Sequence, residues 1–130
     1  MPTIKGFFDA TSLKEASTGI FQVGSSIWEF MYTKQYFGEL CGSSTGLVLG
    51  SGVPFLASSG HVGIEEFHGT VSGRKGTFVL QHWVVARGRK TSSQIVVVPG
   101  SGTGQLEKLK GELSIRITAK TSTYIFEYEL

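Results

Sequence analysis

The chain has 130 residues, with 12 Lys and Arg against 10 Asp and Glu, 18 glycines and one cysteine. That length suits one domain able to bury a core without metal or disulfide support, and a net charge of +2 is too small to mark a polyanion binder. No stretch is apolar for long enough to span a bilayer or to act as a secretory leader, so a soluble, cytoplasmic protein with no membrane and no nucleic-acid partner is expected.

In chain order the strand signals are Ile4–Ala10, Ile27–Phe37, Thr45–Val53, His61–Val71, Thr77–Ala86, Ser92–Val98, Glu112–Ala119 and Thr123–Leu130. Gly-, Ser- or basic-rich turns separate most of them, and no segment carries a sustained helical period. About eight strands on short connections favour an all-β fold, a single antiparallel β-barrel over residues 1–130. Thr11–Ser26 lacks a clear element and is expected to be a lid or rim loop.

Period-two alternation assigns faces. Leu113, Ile115 and Ile117 share one side of their run, and Tyr124, Phe126 and Tyr128 share one side of theirs. Ile27–Phe37 is apolar on both sides, with Trp28, Phe30 and Tyr32 opposed to Ile27, Met31 and Phe37. A strand apolar on both faces predicts that part of the barrel exterior is covered, either by Thr11–Ser26 or by a second copy in an isologous homodimer.

The glycine-dense turn Val97–Leu106, followed by Leu109 and Gly111, invites a nucleotide-binding reading and then excludes it. Gln105 stands where the dinucleotide fingerprint needs its third glycine, no Gly-Lys-Ser/Thr follows, and Gln105–Lys110 is too short for a phosphate-binding helix. The turn is expected instead to hold glycines at positive φ and to plug one barrel end with Leu106 and Leu109. No cofactor is expected. His61, His68, His82 and Cys41 show no metal-ligand spacing, and His61 and His68, seven apart, fall on opposite faces of a regular strand. Cys41 reads as a small core or turn residue.

Glu65 and His82 remain as candidate catalytic groups. Glu65 shares its face with Phe67, and His82 shares its face with Phe78, Leu80 and Val84. Inside a small barrel such groups are costly unless paired, and an unpaired one drifts toward its neutral form, which suits acid–base chemistry near neutral pH. The structural alternative is that Glu65 pairs with an Arg, Lys or Tyr of a neighbouring strand and fixes register. Trp28, Tyr32, Phe67, Phe78, Gln81, Tyr124, Phe126 and Tyr128 are the candidate ligand-binding residues; the aromatics among them either wall a cavity or constitute the core.

Three ordered motifs carry a family resemblance. Val98-Pro-Gly-Ser-Gly-Thr-Gly-Gln-Leu106, Gly63-Ile-Glu-Glu-Phe-His-Gly-Thr70 and Gly73-Arg-Lys-Gly-Thr-Phe-Val-Leu-Gln-His82 resemble the signatures of domain of unknown function 3224. Gln105 stands where that family usually has Glu, and Leu13 where it often has Trp. The resemblance implies a β-barrel similar to those of allene oxide cyclases and dirigent proteins, and it implies no established activity. It also places Glu, Gln and His at Glu65, Gln81 and His82. The expected function is binding of a hydrophobic small molecule in the barrel, with cofactor-independent cyclisation or isomerisation as its catalytic form. A non-catalytic carrier or sensor, and an oligomeric structural barrel with a filled core, are the alternatives.

Overall fold

Alternating runs joined by tight turns pair with their chain neighbours, and here that pairing runs full circle. The computed structural model describes residues 1–16, 19–22, 24–52 and 58–130, giving only the backbone for 11–13. Its strands are β1 (Thr3–Glu15), β2 (Ile27–Gly38), β3 (Leu40–Gly52), β4 (Ser58–Val71), β5 (Arg74–Arg87), β6 (Lys90–Val97), β7 (Lys110–Ile117) and β8 (Ser122–Glu129). Each is antiparallel to the next, and β8 returns to β1 from Thr3↔Glu127 to Phe7↔Thr123, closing the barrel. The all-β barrel expected from the period-two runs is the observed fold, and no helix among the described residues is long and apolar enough to cross a membrane.

Two boundaries depart most from the sequence reading. β1 runs on to Glu15, paired with β2 past a bulge at Ala10/Ser12, so the first part of the expected rim loop is strand. β3 starts at Leu40 rather than Thr45, because Gly42 and Gly46 interrupt the apolar alternation without breaking the ladder. Cys41 lies on β3 with an exposed side chain, neither in the core nor in a turn. Val53 and residues 17, 18 and 23 of the expected lid lie outside the described residues.

One end of the barrel is solid. Ile4, Phe8, Tyr36, Leu40, Phe67, Val71, Phe78, Leu80, Tyr124 and Phe126 pack together there, and Leu106 and Leu109 close it from below. The plug is held by the glycine-dense turn. Thr103 N donates to Thr77 O at 2.9 Å, Val79 N donates to Ser101 Oγ at 3.0 Å, and Lys75 N donates to Gln105 Oε1 at 2.8 Å. A short 3-10 turn, Gly104–Leu106, then drops Leu106 into the core. The β4–β5 hairpin at the same end turns through Ser72 and Gly73, both at positive φ (48° and 81°), as a two-residue hairpin turn requires. Tyr124 pins the adjacent β2–β3 turn: its hydroxyl accepts from Leu40 N at 3.1 Å and reaches Phe37 O at 2.9 Å, in space left by the missing side chains of Gly6 and Gly38.

The other end is lopsided. β2 to β5 run 12 to 14 residues, whereas β6, β7 and β8 have eight each. The β5–β6 and β7–β8 ladders each hold eight residue pairs, but β6 and β7 share two, Ile95↔Leu113 and Val96↔Glu112. Above these the two strands part. Ile115 and Ile117, which continue the buried face of Leu113 in sequence, are accordingly exposed, at 36% and 64%.

Candidate functional site

β2 presents Trp28, Phe30, Tyr32, Lys34 and Tyr36 to the barrel interior, since every second side chain points the same way. In register, Lys34 faces Ser44 on β3, and Gly46 of β3 faces Glu65 on β4. These residues therefore meet at mid-height around one carboxylate. Glu65, 3% exposed, accepts hydrogen bonds from Tyr32 Oη (2.9 Å), Tyr36 Oη (2.5 Å) and Ser44 Oγ (2.6 Å), and Lys34 Nζ stands 3.4 Å from its Oε1. The ammonium also lies over the rings of Phe8 and Tyr32, 5.0 and 5.2 Å from their centroids.

Burial by itself would raise the Glu65 pKa. The Lys34 charge and the hydroxyls of Ser44, Tyr36 and Tyr32 outweigh it and hold the carboxyl below its ordinary value. Glu65 is paired, so the drift toward a neutral carboxyl expected of an unpaired group does not apply to it. The same contact pushes both tyrosines up, through burial first and the adjacent carboxylate second. Glu65 is thus a fixed anion with its lone pairs occupied, close to the register-fixing alternative that the sequence left open.

Above this layer the inward side chains Trp28, Phe30, His61 and His82 are only partly buried. His82 on β5, half-buried, points inward, its ring centroid 5.5 Å from that of His61 on β4. His61 in turn lies 5.8 Å from Trp28, whose indole N–H donates to Gly52 O at 2.6 Å, and Phe30 lies beside Trp28 at 5.5 Å. Three inward glycines make room for rings. A Cβ on Gly46 would fall 2.2 Å from Tyr32 Cζ, one on Gly50 2.4 Å from Trp28, and one on Gly63 2.2 Å from His82 Cε1. Burial first, then His61 and Lys34, push the His82 pKa down to about 4, with Glu65 opposing in part. Its imidazole is neutral near pH 7, and it has no hydrogen bond to protein among the described residues.

The candidate residues therefore separate. Glu65, Tyr32, His82 and Trp28 face the interior in the middle and upper barrel. Phe67, Phe78, Tyr124, Phe126 and Tyr128 belong to the packed lower core, where exposure does not exceed 6%, so they fill the barrel instead of walling a cavity. Gln81 is exposed on the outer face, opposite Ile64 of β4, and is removed from any interior site. His68 is also outside, paired with Glu66 at 2.7 Å. Among the described residues no three His, Cys, Asp or Glu side chains gather as metal ligands. Sequence reasoning passed over Lys34, Tyr36 and Ser44, and weighed His61 only as a metal ligand. Parity with Tyr32 places Lys34 and Tyr36, and parity with Glu65 places His61; Ser44 stands in a G-x-S-x-G sequence, Gly42 to Gly46, but that stretch lies within β3 and not at a strand-to-helix elbow.

Two hollows lie outside the barrel wall. One of about 430 Å³ crosses the outer face of β2 to β5 over Met31, Leu47, Ile64 and Val79. The other, about 530 Å³, sits at the plugged end between Pro99, Lys108 and Leu130.

A family model described as protein of unknown function (DUF3224) matches residues 4–128. A crystal structure of a protein with unknown function from that family, from Shewanella oneidensis MR-1, is similar to this chain with a TM-score of 0.88 and 31% identity, covering 100% of this chain and 97% of that one. No curated protein matches the chain.

Proposed function

The chain belongs to the DUF3224 family, and from that premise we propose that its barrel binds one small, largely apolar molecule at the upper mouth, with His82 as the polar anchor. The observation that carries this reading is the state of His82: an inward, half-buried, neutral imidazole without a protein hydrogen bond among the described residues, beside His61, which in turn lies against Trp28. A half-buried polar group left to solvent among rings suits a ligand that brings its own hydroxyl or carbonyl. Trp28 and Phe30 supply flat apolar surface on the far side of His61, and the fixed Glu65 layer is the floor.

A carrier or sensor fits this geometry better than a cyclase or isomerase. Catalysis by Glu65 would require a carboxylate free to exchange a proton, and Lys34 and three hydroxyls already occupy it. His82, protonated only near pH 4, is a weak base at neutral pH and serves as a donor or acceptor instead.

The test uses 2-naphthol, one hydroxyl on an apolar plate, followed by quenching of tryptophan fluorescence. Wild type is expected to bind, and His82→Leu to bind five- to tenfold more weakly, the loss of roughly one hydrogen bond. Equal binding by the two proteins refutes the anchor. Native mass spectrometry of protein purified from its own source is expected to show a co-purifying apolar molecule, and bare protein alone speaks against the ligand.

The same reading includes a homodimer over the outer face of β2 to β5, where Met31, Val62, Ile64 and Trp83 are 38–55% exposed. Sedimentation velocity is expected to show a dimer at high micromolar concentration; monomer throughout removes it.

A further inference from the structure

The parting of β6 from β7 leaves two strand edges facing each other, and hairpin geometry says which backbone groups they present. In a two-residue hairpin the residues flanking the turn form a bonded pair, and bonded and non-bonded pairs then alternate. The Arg87↔Lys90 pair flanks Gly88 and Arg89, so Lys90, Ser92 and Gln94 turn their N–H and C=O groups toward β5, and Thr91 and Ser93 turn theirs toward β7. Across the gap, Thr118 N bonds to Thr121 O, which makes Arg116↔Thr123 the next bonded pair and turns Ile115 and Ile117 toward β6. Ile95 and Leu113, next in each series, meet as a pair. Among the described residues the main-chain groups of Thr91, Ser93, Ile115 and Ile117 have no ladder partner. Main-chain donors and acceptors on an exposed edge are a template for another strand.

Charge selects the strand. From Ala86 to Leu106 the chain carries Arg87, Arg89 and Lys90 and no acid; from Leu113 to Phe126 it carries Arg116 and Lys120 and no acid. All five cations are exposed and flank the open part of the seam, although the whole chain has a net charge of only +2. Glu112 lies below, at the closed end, opposite Val96. A second copy offering the same edge would bring like charges together, which cationic edges commonly prevent. An acidic segment meets the opposite situation.

We propose that the seam between β6 and β7 receives an extended acidic peptide as an added strand, bonded through its main chain to Thr91 and Ser93 or to Ile115 and Ile117 and steered by Arg87, Arg89, Lys90, Arg116 and Lys120. The seam adjoins the His82 mouth, since His82 pairs with Ile95 of β6, but the peptide is held by main-chain groups and cations and not by the imidazole, so either assignment stands without the other.

The test titrates the full chain with a fluorescein-labelled, capped peptide of alternating Glu and Val. Comparators are a Lys–Val peptide and a Glu–Val peptide N-methylated throughout, which keeps its charge but has no backbone N–H. Hydrogen exchange is followed in parallel. The Glu–Val peptide is expected to bind and to slow exchange at Thr91 and Ser93 or at Ile115 and Ile117. At least tenfold weaker binding is expected for both comparators, and for Arg89→Glu/Lys90→Glu with the original peptide. The surface double variant should in turn accept the Lys–Val peptide. Absence of binding overturns the proposal, leaving the cations as guards of the edge. Equal binding of the N-methylated peptide overturns it in favour of charge alone. Slowed exchange at these amides in a peptide-free dimer overturns it in favour of a second copy.

Discussion

Replacing Glu65 with leucine is expected to lower stability by ~3–5 kcal/mol, the usual cost of leaving one member of a buried ion pair unpaired. For a chain of this size that is a fall in melting temperature of roughly 10–20 °C. The side chain is small, but four groups are built around it. Lys34, with its side chain 14% exposed, would keep a charge without a counter-ion, and Tyr32, Tyr36 and Ser44 would lose their acceptor. Adding Lys34→Met to Glu65→Leu removes the stranded cation and is expected to recover a measurable part of the loss. A single Glu65→Leu variant melting within about 2 °C of wild type would refute the keystone role.

The pH profile separates Glu65 from His82. The Glu65 carboxyl is held below its ordinary value of 4.5 in the folded chain, so its contribution is complete above that value and is lost as pH falls through the folded pKa. His82 is also depressed, from 6.5 to about 4, which means the unfolded chain takes up a proton first. Its effect is a decline in stability as pH falls from 6.5 toward 4. Burial lowers the His61 pKa as well, so denaturant titrations of wild type should weaken in two stages, with the upper one reduced in His82→Leu and its remainder carried by His61.

Strand positions were legible because the buried face of a small barrel imposes period two on nearly every run. Tyr124–Phe126–Tyr128 and the register from Glu65 to Phe67 follow from that alone. Inward glycines were less legible. Gly46, Gly50 and Gly63 read locally as interruptions, and their role as seats for Tyr32, Trp28 and His82 exists only once strands are paired. The protonation of Glu65 was unreadable for a related reason: parity says the carboxyl points inward, but Lys34 and Ser44 reach it through the β2–β3–β4 register. The open seam was hidden as well. Leu113, Ile115 and Ile117 look like one buried stripe, and only the two-pair ladder with β6 shows the stripe emerging into solvent.

Gly102→Ala is the second substitution with a large expected effect, at ~2–4 kcal/mol, beyond the usual 1–3 kcal/mol of overpacking because the obstacle is backbone. A Cβ at this position would fall 1.8 Å from Leu106 O and 2.8 Å from Leu106 C. A carbonyl in a turn cannot rotate away as a side chain can. Relief requires moving the Gly104–Leu106 turn, and with it Leu106, which is fully buried in the core. Gly100 is the control. It has φ +79° but nothing within 4 Å of its absent Cβ, so alanine there meets conformational strain without collision, at about 1 kcal/mol. Chemical denaturation of the two variants should therefore rank Gly102→Ala well below Gly100→Ala. Hydrogen exchange should show the loss first at Thr103 and Thr77, whose mutual bonds tether the turn to β5. Equal stability of the two variants would mean that the turn yields without disturbing the plug, and that Leu106 owes its burial to the barrel end instead of to the glycine-dense connection that delivers it.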